Sequence, residues 1–168
     1  MSFGQDSNEP FSITISAPQS VKIGSVAKMS IIVRNVSKRS ILFGICSDAT
    51  RVRLNFDFDV HGPDGRPASE TPYMKDKRIE GHYGTVDLKP GGTFRVSEDI
   101  EKLFDLTPGA YTIQLSRGEN DCVLHPPGRL ADLELRKPVV TGLPQLEPSL
   151  PTPRAIVKSN VVTLTVVP

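Results

Sequence analysis

The segment formed by residues 52–61 constrains the fold of this chain more than any other part of the sequence. Its residues, VRLNFDFDVH, alternate apolar and polar side chains without exception. A β-strand places successive side chains on opposite faces, so the pattern predicts a strand with one face on a core and the other in water. The strand leads into Gly62-Pro63-Asp64-Gly65, whose residue types favour a chain reversal.

The same period-two pattern recurs along the chain, and turn signals such as Lys89-Pro90-Gly91-Gly92 separate its occurrences. It is found in residues 11–15, 27–34, 41–45, 86–88, 94–96, 111–116 and 162–166. In residues 98–104, acids followed by apolar residues at a spacing of three to four predict one short helical turn. The sequence therefore predicts an all-β, antiparallel sandwich of about seven to nine strands.

Length and charge set the domain organisation and exclude some partners. A chain of 168 residues suits one domain, which we expect to span residues 11–168 after a disordered N-terminal tail over residues 1–10. With 20 basic and 19 acidic side chains the net charge is +1, which argues against a nucleic-acid partner. The longest apolar run, VVTLTVV, is too short to cross a bilayer, so no membrane span is expected.

Residues 118–155 do not fit the strand pattern. They contain seven prolines, a density that prevents central strands and favours extended backbone. We interpret them as a long Pro-rich insertion before the last strand. Two readings remain open: the insertion is disordered, or its leucines and valines dock parts of it on another surface.

Two turn motifs give the chain a family resemblance. Leu88-Lys89-Pro90-Gly91-Gly92 leads into one strand, and Leu106-Thr107-Pro108-Gly109-Ala110-Tyr111 leads into the next. Together with Asn35 and the segment from Phe56 to Gly65, they resemble bacterial immunoglobulin-like and fibronectin-like modules, and most nearly the bacterial intracellular proteinase inhibitor family. The resemblance covers about residues 26–117 and implies an immunoglobulin-like sandwich.

Tyr111 has a structural role in such a fold. A tyrosine at the start of this strand can return its hydroxyl to the backbone of the corner, as in a tyrosine corner. The alternative is an ordinary core aromatic. The Pro-rich insertion departs from the family's pattern, so no inhibitory loop is transferred to this chain.

The sequence contains no motif of nucleophilic, metal-dependent or phosphate-binding catalysis. Asp57, Asp59 and His61 share one strand face and could hold a divalent ion, but a solvated polar face explains them more simply. We therefore predict that the chain is not an enzyme and has no metal or cofactor.

The loops of a sandwich cluster at its two ends, and binding commonly uses such clusters. In the standard strand order, the connection around residues 46–51, the turn at residues 88–92 and the insertion share one end. We expect this end to be the binding end, with the candidate residues Asp48, Arg51, Arg117, His125 and Arg129.

The two cysteines, Cys46 and Cys122, fall at that same predicted end. A disulfide between them would close a loop of about 75 residues and contribute roughly 4 kcal/mol in the chain-entropy model. The alternative is a pair of free thiols in a reduced, cytoplasmic protein.

From these features we predict a non-catalytic binding or structural module of a bacterial extracytoplasmic protein, periplasmic, secreted or at the cell surface. Its partner is expected to be another protein or a cell-surface component. A proteinase inhibitor and a carbohydrate-binding module are the alternatives. The last is disfavoured because the chain has no Trp and three Tyr, whereas sugar platforms are usually aromatic.

Overall fold

A computed structural model describes residues 9–47, 52–53, 56–75, 82–118, 122–124 and 156–168. Strands dominate these residues, and the all-β prediction is confirmed. In chain order the elements are β1 (Phe11–Ser16), β2 (Ser20–Lys22), β3 (Lys28–Asn35), β4 (Ile41–Ser47), β5 (Val52–Arg53), β6 (Asp57–His61), α1 (Pro72–Lys75), β7 (His82–Leu88), β8 (Thr93–Asp99), α2 (Ile100–Leu103), β9 (Gly109–Gly118), β10 (Cys122–Leu124), β11 (Ile156–Lys158) and β12 (Val162–Val167).

The strands pair in three groups. The first has the order β1-β3-β8, and the second is built around β4, which pairs with β5, β7 and β10. The third is built around β9, with β6 on one side and β11 and β12 on the other, and β2 joins it along β12. The described pairs are antiparallel except β2–β12, which is parallel. The chain therefore changes sheet between β1 and β2.

Alternating side chains from all three groups form one core. On β1 and β3 the inward residues are fully buried or nearly so, while their neighbours are half-buried or exposed. Phe11 of β1 meets Phe43 of β4 edge to face, with ring centroids 5.1 Å apart. This contact joins the first and second groups, and such aromatic pairs stabilise a core beyond the area they bury.

A bulge at residues 159–161 connects two groups. Lys158 lies opposite Ser116 and Val162 opposite Ile113, so three residues face two on β9. The bulge places Asn160 against β1, where its Oδ1 accepts from the Ile15 N–H at 2.8 Å and its Nδ2 donates to the Ile15 carbonyl at 3.0 Å. One side chain thus occupies backbone groups on the outer edge of β1.

The segment predicted as one strand over residues 52–61 is described as β5 and β6, with residues 54–55 outside the described part. Phe56 and Val60 are buried whereas Asp57 and Asp59 are exposed, as the alternation requires. The predicted helical turn is α2, which begins only at Ile100 because the residues before it continue β8.

The prediction for the insertion needs a correction at its start. Residues 122–124 form β10, whose Val123 and Leu124 lie opposite Leu42 and Ile41 of β4. This run precedes Pro126, the first proline of the segment, so no proline removes a backbone donor from its pairing with β4. Residues 1–8 of the predicted tail, and 119–121 and 125–155 of the predicted insertion, lie outside the described residues.

Candidate binding surface

The strand register separates the connections that were expected to cluster. In the β4–β7 ladder Ile41 lies opposite Leu88, and Ser47 lies opposite His82. The turn that follows Leu88 is therefore at the beginning of β4, whereas the connection that follows Ser47 is at its end. The turn at residues 88–92 therefore does not share an end with the connection after Ser47, because β4 pairs with β7 along its whole length and keeps the two apart. The place of the insertion in the predicted cluster lies outside the described residues.

Arg117 lies on β9 and is 3% exposed. Its guanidinium stacks on the ring of Phe43, 4.0 Å from the centroid, with Phe56 at 5.7 Å. The predicted role of Arg117 as a surface contact is therefore corrected. The side chain is inside because two aromatic rings offer a cation–π environment at this position. Asp48, Arg51, His125 and Arg129 lie outside the described residues, so their predicted role stays a prediction.

The proposed disulfide does not fit the backbone. Cys122 is opposite Phe43 in the β4–β10 ladder, and Cys46 is three residues further along β4. At about 3.3 Å per residue the two Cα atoms are separated by roughly 10 Å along the strand. A disulfide requires Cα atoms within about 7 Å. The prediction placed both cysteines at one end of the sandwich, and the pairing of β10 with β4 instead leaves a register difference of three residues between them.

Tyr111 closes the corner that precedes β9. Its hydroxyl accepts a hydrogen bond from the Thr107 N–H at 2.8 Å, lies 3.1 Å from Thr107 Oγ1, and donates to the Thr107 carbonyl at 3.1 Å. The ring is 3% exposed. This is the geometry of a tyrosine corner. The Leu-Thr-Pro-Gly-Ala-Tyr sequence thus fixes the segment of residues 105–108 to the start of β9.

A second loop, residues 62–69, lies beside this corner. The Gly62 N–H donates to the Arg66 carbonyl at 2.8 Å, and the Gly65 N–H donates to the Gly62 carbonyl at 3.0 Å. The Arg66 N–H donates to Asp64 Oδ1 at 3.0 Å. Gly65 has φ of 74°, a conformation that favours glycine. The predicted turn at residues 62–65 is therefore present, and hydrogen bonds along its length hold its shape.

Two contacts fix the loop to the corner. The Asp105 N–H donates to the Ser69 carbonyl at 2.9 Å. Pro63 packs against Gly109, where a Cβ atom would come within 2.1 Å of the proline Cγ. Gly109 also has φ of 142°, which other residues rarely adopt. A glycine at this position is what allows the loop and the corner to approach this closely.

An open groove lies between these two segments, above Tyr111, and we call it the corner groove. Its volume is about 500 Å³, and its polar side chains include Asp64, Arg66, Asp105 and Thr107. Arg66 and Asp64 form an exposed ion pair at 3.9 Å. Volumes of 300–1,000 Å³ are typical of sites for small ligands.

Asp105 stands between the corner groove and a neighbouring groove of about 360 Å³, which is formed with residues 21–25, Glu101 and Val166. Its side chain is exposed, and no hydrogen bond or ion pair engages it in the described part of the chain. Glu101, by contrast, is occupied, because its Oε2 accepts from the Ala27 N–H at 2.9 Å. Asp105 is thus a carboxylate available to a ligand in either groove.

Sequence reasoning did not find the corner groove. Both of its segments were recognised as turns, but their contact is long-range, through the Glu70–Phe104 bridge and the hydrogen bond from the Asp105 N–H to the Ser69 carbonyl. A proline-glycine turn signal predicts where a loop begins. It contains no information about which other loop that loop contacts.

His61 and the acids before it do not assemble into a metal site. The structure places His61 Nδ1 3.3 Å from Asp59 Oδ1 on the outer face of β6. Within the described residues, no group of three or more histidines, cysteines and carboxylates is arranged to hold a metal ion. Neither α1 nor α2, the helices in the described ranges, has the length and apolar character of a membrane span.

The fold and the corner groove define an all-β domain with an open surface between loops. No family model matches the chain, and no curated protein matches it significantly. The solved structures that match include a beta-glucosidase from Listeria innocua, as such and in complex with glucose, and a mutant of it in complex with laminaribiose. Each has a TM-score of 0.31 and 14% identity, so the likeness carries no argument. The match covers 70% of this chain and 16% of the glucosidase chain.

Proposed function

We propose that this chain is a non-catalytic binding module of a bacterial extracytoplasmic protein, and that the corner groove is its contact surface. The observation that supports this most directly is the exposed carboxylate of Asp105, which no other described residue engages, between two grooves whose walls carry backbone hydrogen bonds. A surface held in one conformation before binding loses little conformational entropy when a ligand arrives.

The chemistry of the groove favours a ligand with a cationic or hydrogen-bond-donating group. Asp105 offers an acceptor, and the Asp64–Arg66 pair offers one group of each charge at the opposite wall. Because this ion pair is exposed and 3.9 Å long, it costs little to rearrange when a ligand competes for either partner. The partner is expected to be another protein or a cell-surface component.

Site-specific photo-cross-linking in the cells that produce the protein tests this proposal. A photoreactive amino acid at Ser69, an exposed residue of the groove, is compared with one at Thr163, an exposed residue of β12. We expect a defined cross-linked product at Ser69 that weakens with Asp105→Asn and is absent at Thr163. Equal labelling at both positions, or none at either, would contradict the assignment of the groove.

Three further measurements separate the proposal from its alternatives. Inhibition of any member of a panel of serine, cysteine and metalloproteases would favour an inhibitor. Binding on a glycan array would favour a carbohydrate-binding module. Fractionation of the producing cells, with the protein found in the cytoplasm, would overturn the extracytoplasmic location.

A further inference from the structure

In the part of the chain that the structure describes, strand β8 is an edge of the sheet β1-β3-β8. Within the described residues its ladder partner is β3, and the exposed side chains of Thr93, Arg95 and Ser97 line its outer face. Neighbouring strand β7 precedes it directly but pairs with β4 instead. An unpaired strand edge presents a row of N–H and C=O groups that another strand can pair with.

The register identifies which backbone groups of β8 bond to β3 and which are directed away from it. The Asn35 N–H donates to the Gly92 carbonyl, the Asn35 carbonyl accepts from the Gly91 N–H, and the Ile100 N–H donates to the Ala27 carbonyl. Opposite residues in an antiparallel ladder alternate between hydrogen-bonded and non-hydrogen-bonded pairs. Even-numbered residues of β8 therefore bond to β3, and the odd-numbered ones, including Arg95, direct their N–H and C=O groups away from the sheet.

The core is also incompletely covered along this edge. Phe94 and Val96 of β8 point inward but are only partly buried, whereas their partners Val33 and Ile31 on β3 are 0% exposed. An added strand would bury the remaining apolar surface of these two side chains. The edge thus offers apolar contacts in addition to backbone hydrogen bonds.

The outer face of this sheet is basic. Lys28, Arg34 and Arg95 are exposed on it, and no carboxylate pairs with either arginine in the described ranges. The acid that shares the face, Asp99 at the end of β8, lies 2.9 Å from the ammonium group of Lys102. A negatively charged strand would complement this face, because opposite charges on neighbouring strands attract.

We infer that the free edge of β8 is a docking site for an acidic, extended polypeptide segment of a partner protein, which adds to the sheet as a further strand. This mode of recognition combines main-chain hydrogen bonds for affinity with alternate side chains for specificity. The site is separate from the corner groove and does not depend on it.

A second copy of this chain is a poorer occupant. Antiparallel pairing of two β8 edges centred on the outward residues would bring the two Arg95 side chains opposite each other. Like charges directly opposite destabilise a strand pair, and charged side chains on an edge are a common protection against self-association. The protein is therefore expected to stay monomeric in analytical ultracentrifugation, and a dimer that Ser97→Pro abolishes would overturn the inference.

Amide hydrogen exchange measured by nuclear magnetic resonance tests the edge in the full chain. In the free protein, the amides of Thr93, Arg95 and Ser97 should exchange fast, and those of Phe94 and Val96 slowly, because only the latter bond to β3. Slow exchange at all five positions in the free protein would mean that the edge is already paired, and would overturn the inference.

Binding is tested with a capped heptapeptide, Thr-Glu-Val-Glu-Val-Glu-Thr, and with its counterpart in which lysine replaces glutamate. We expect the acidic peptide to bind in fluorescence anisotropy and to slow exchange of the Arg95 and Ser97 amides. Arg95→Glu should weaken the acidic peptide about tenfold and favour the basic one. Lys158→Glu, the same charge change at an exposed residue of β11, should leave affinity unchanged.

Ser97→Pro separates backbone pairing from charge. The Ser97 N–H faces away from β3, so a proline at this position removes a donor from the edge without removing a hydrogen bond to β3. Weaker peptide binding with an unchanged melting temperature supports strand addition. Equal binding of both peptides, no binding of the acidic peptide at about 1 mM, or shifts that map away from β8 would overturn it.

Discussion

Replacing Asn35 by alanine should destabilise the protein far more than the loss of an exposed polar side chain. Asn35 is 0% exposed at the end of β3. Its Nδ2 donates to the carbonyls of Arg39 and Leu88, both at 2.7 Å. Its Oδ1 accepts from the Ser37 N–H at 2.9 Å and from Ser37 Oγ at 2.8 Å. The Asn35 side chain therefore joins the loop between β3 and β4 to the end of β7 through hydrogen bonds.

The magnitude follows from what the truncation leaves behind. Each hydrogen bond contributes about 1 kcal/mol net, and a buried group left without a partner costs more than that. In the variant, the single Ser37 hydroxyl proton no longer has Asn35 Oδ1 as an acceptor and can go to the Arg39 carbonyl, which lies 2.8 Å from Ser37 Oγ, whereas the Leu88 carbonyl loses a buried donor. We expect a loss of about 3 kcal/mol, which lowers the melting temperature of a chain this size by about 6–12 °C.

Urea denaturation of the purified variant measures this loss, with Asn160→Ala as the matched control. Asn160 also bonds to backbone groups through its amide, but it makes two such bonds to Ile15 and is exposed. Its truncation should cost about 1 kcal/mol. If Asn35→Ala costs no more than Asn160→Ala, burial of the amide does not govern its contribution and the reasoning fails.

Asn35→Asp should make stability depend on pH. The introduced carboxyl would face the carbonyl oxygens of Arg39 and Leu88 in a buried site, which raises its pKa above the unfolded value of about 3.9. A raised folded-state pKa gives stability that is present at low pH and is lost as pH rises. As pH rises from about 4 to about 7, the urea midpoint of this variant should therefore decrease relative to that of the wild type. A flat difference across that range would contradict the buried contact.

Three further outcomes are expected. Tyr111→Phe should cost about 1–2 kcal/mol in urea denaturation because it removes the hydroxyl bonds of the corner; no loss would argue against a tyrosine corner. Gly109→Ala should displace Pro63 and so lower the melting temperature in thermal denaturation. The displacement should also appear as amide shifts confined to the corner groove in a nuclear magnetic resonance spectrum. Cys46 and Cys122 should both be alkylated in denatured protein prepared without reductant. A chain mass lower by two hydrogens, with neither cysteine alkylated, would instead show that the disulfide forms.

The sequence alone determined the strands with clear alternation and two of the turns, but not the short strands β2, β10 and β11. Period-two alternation is a local property, so Phe11, Ile13 and Ile15 could be assigned to an inward face without knowledge of any partner strand. The same holds for Tyr111, whose hydroxyl reaches a residue only four positions earlier in the chain. Turns at residues 62–65 and 89–92 follow from proline and glycine, whose backbone preferences are intrinsic.

Only the tertiary structure decided register and the contacts between distant segments. Cys46 and Cys122 lie on paired strands, yet a register difference of three residues separates them. Arg117 is of a residue type usually found on the surface, yet it is buried against Phe43. Phe43 belongs to another group of strands, so the sequence around Arg117 does not reveal this contact. Asp105 lines a groove because the loop of residues 62–69 packs beside it, with the Asp105 N–H bonded to the Ser69 carbonyl. Pairing and side-chain stacking depend on groups far apart in sequence, and alternation within one strand contains no information about them.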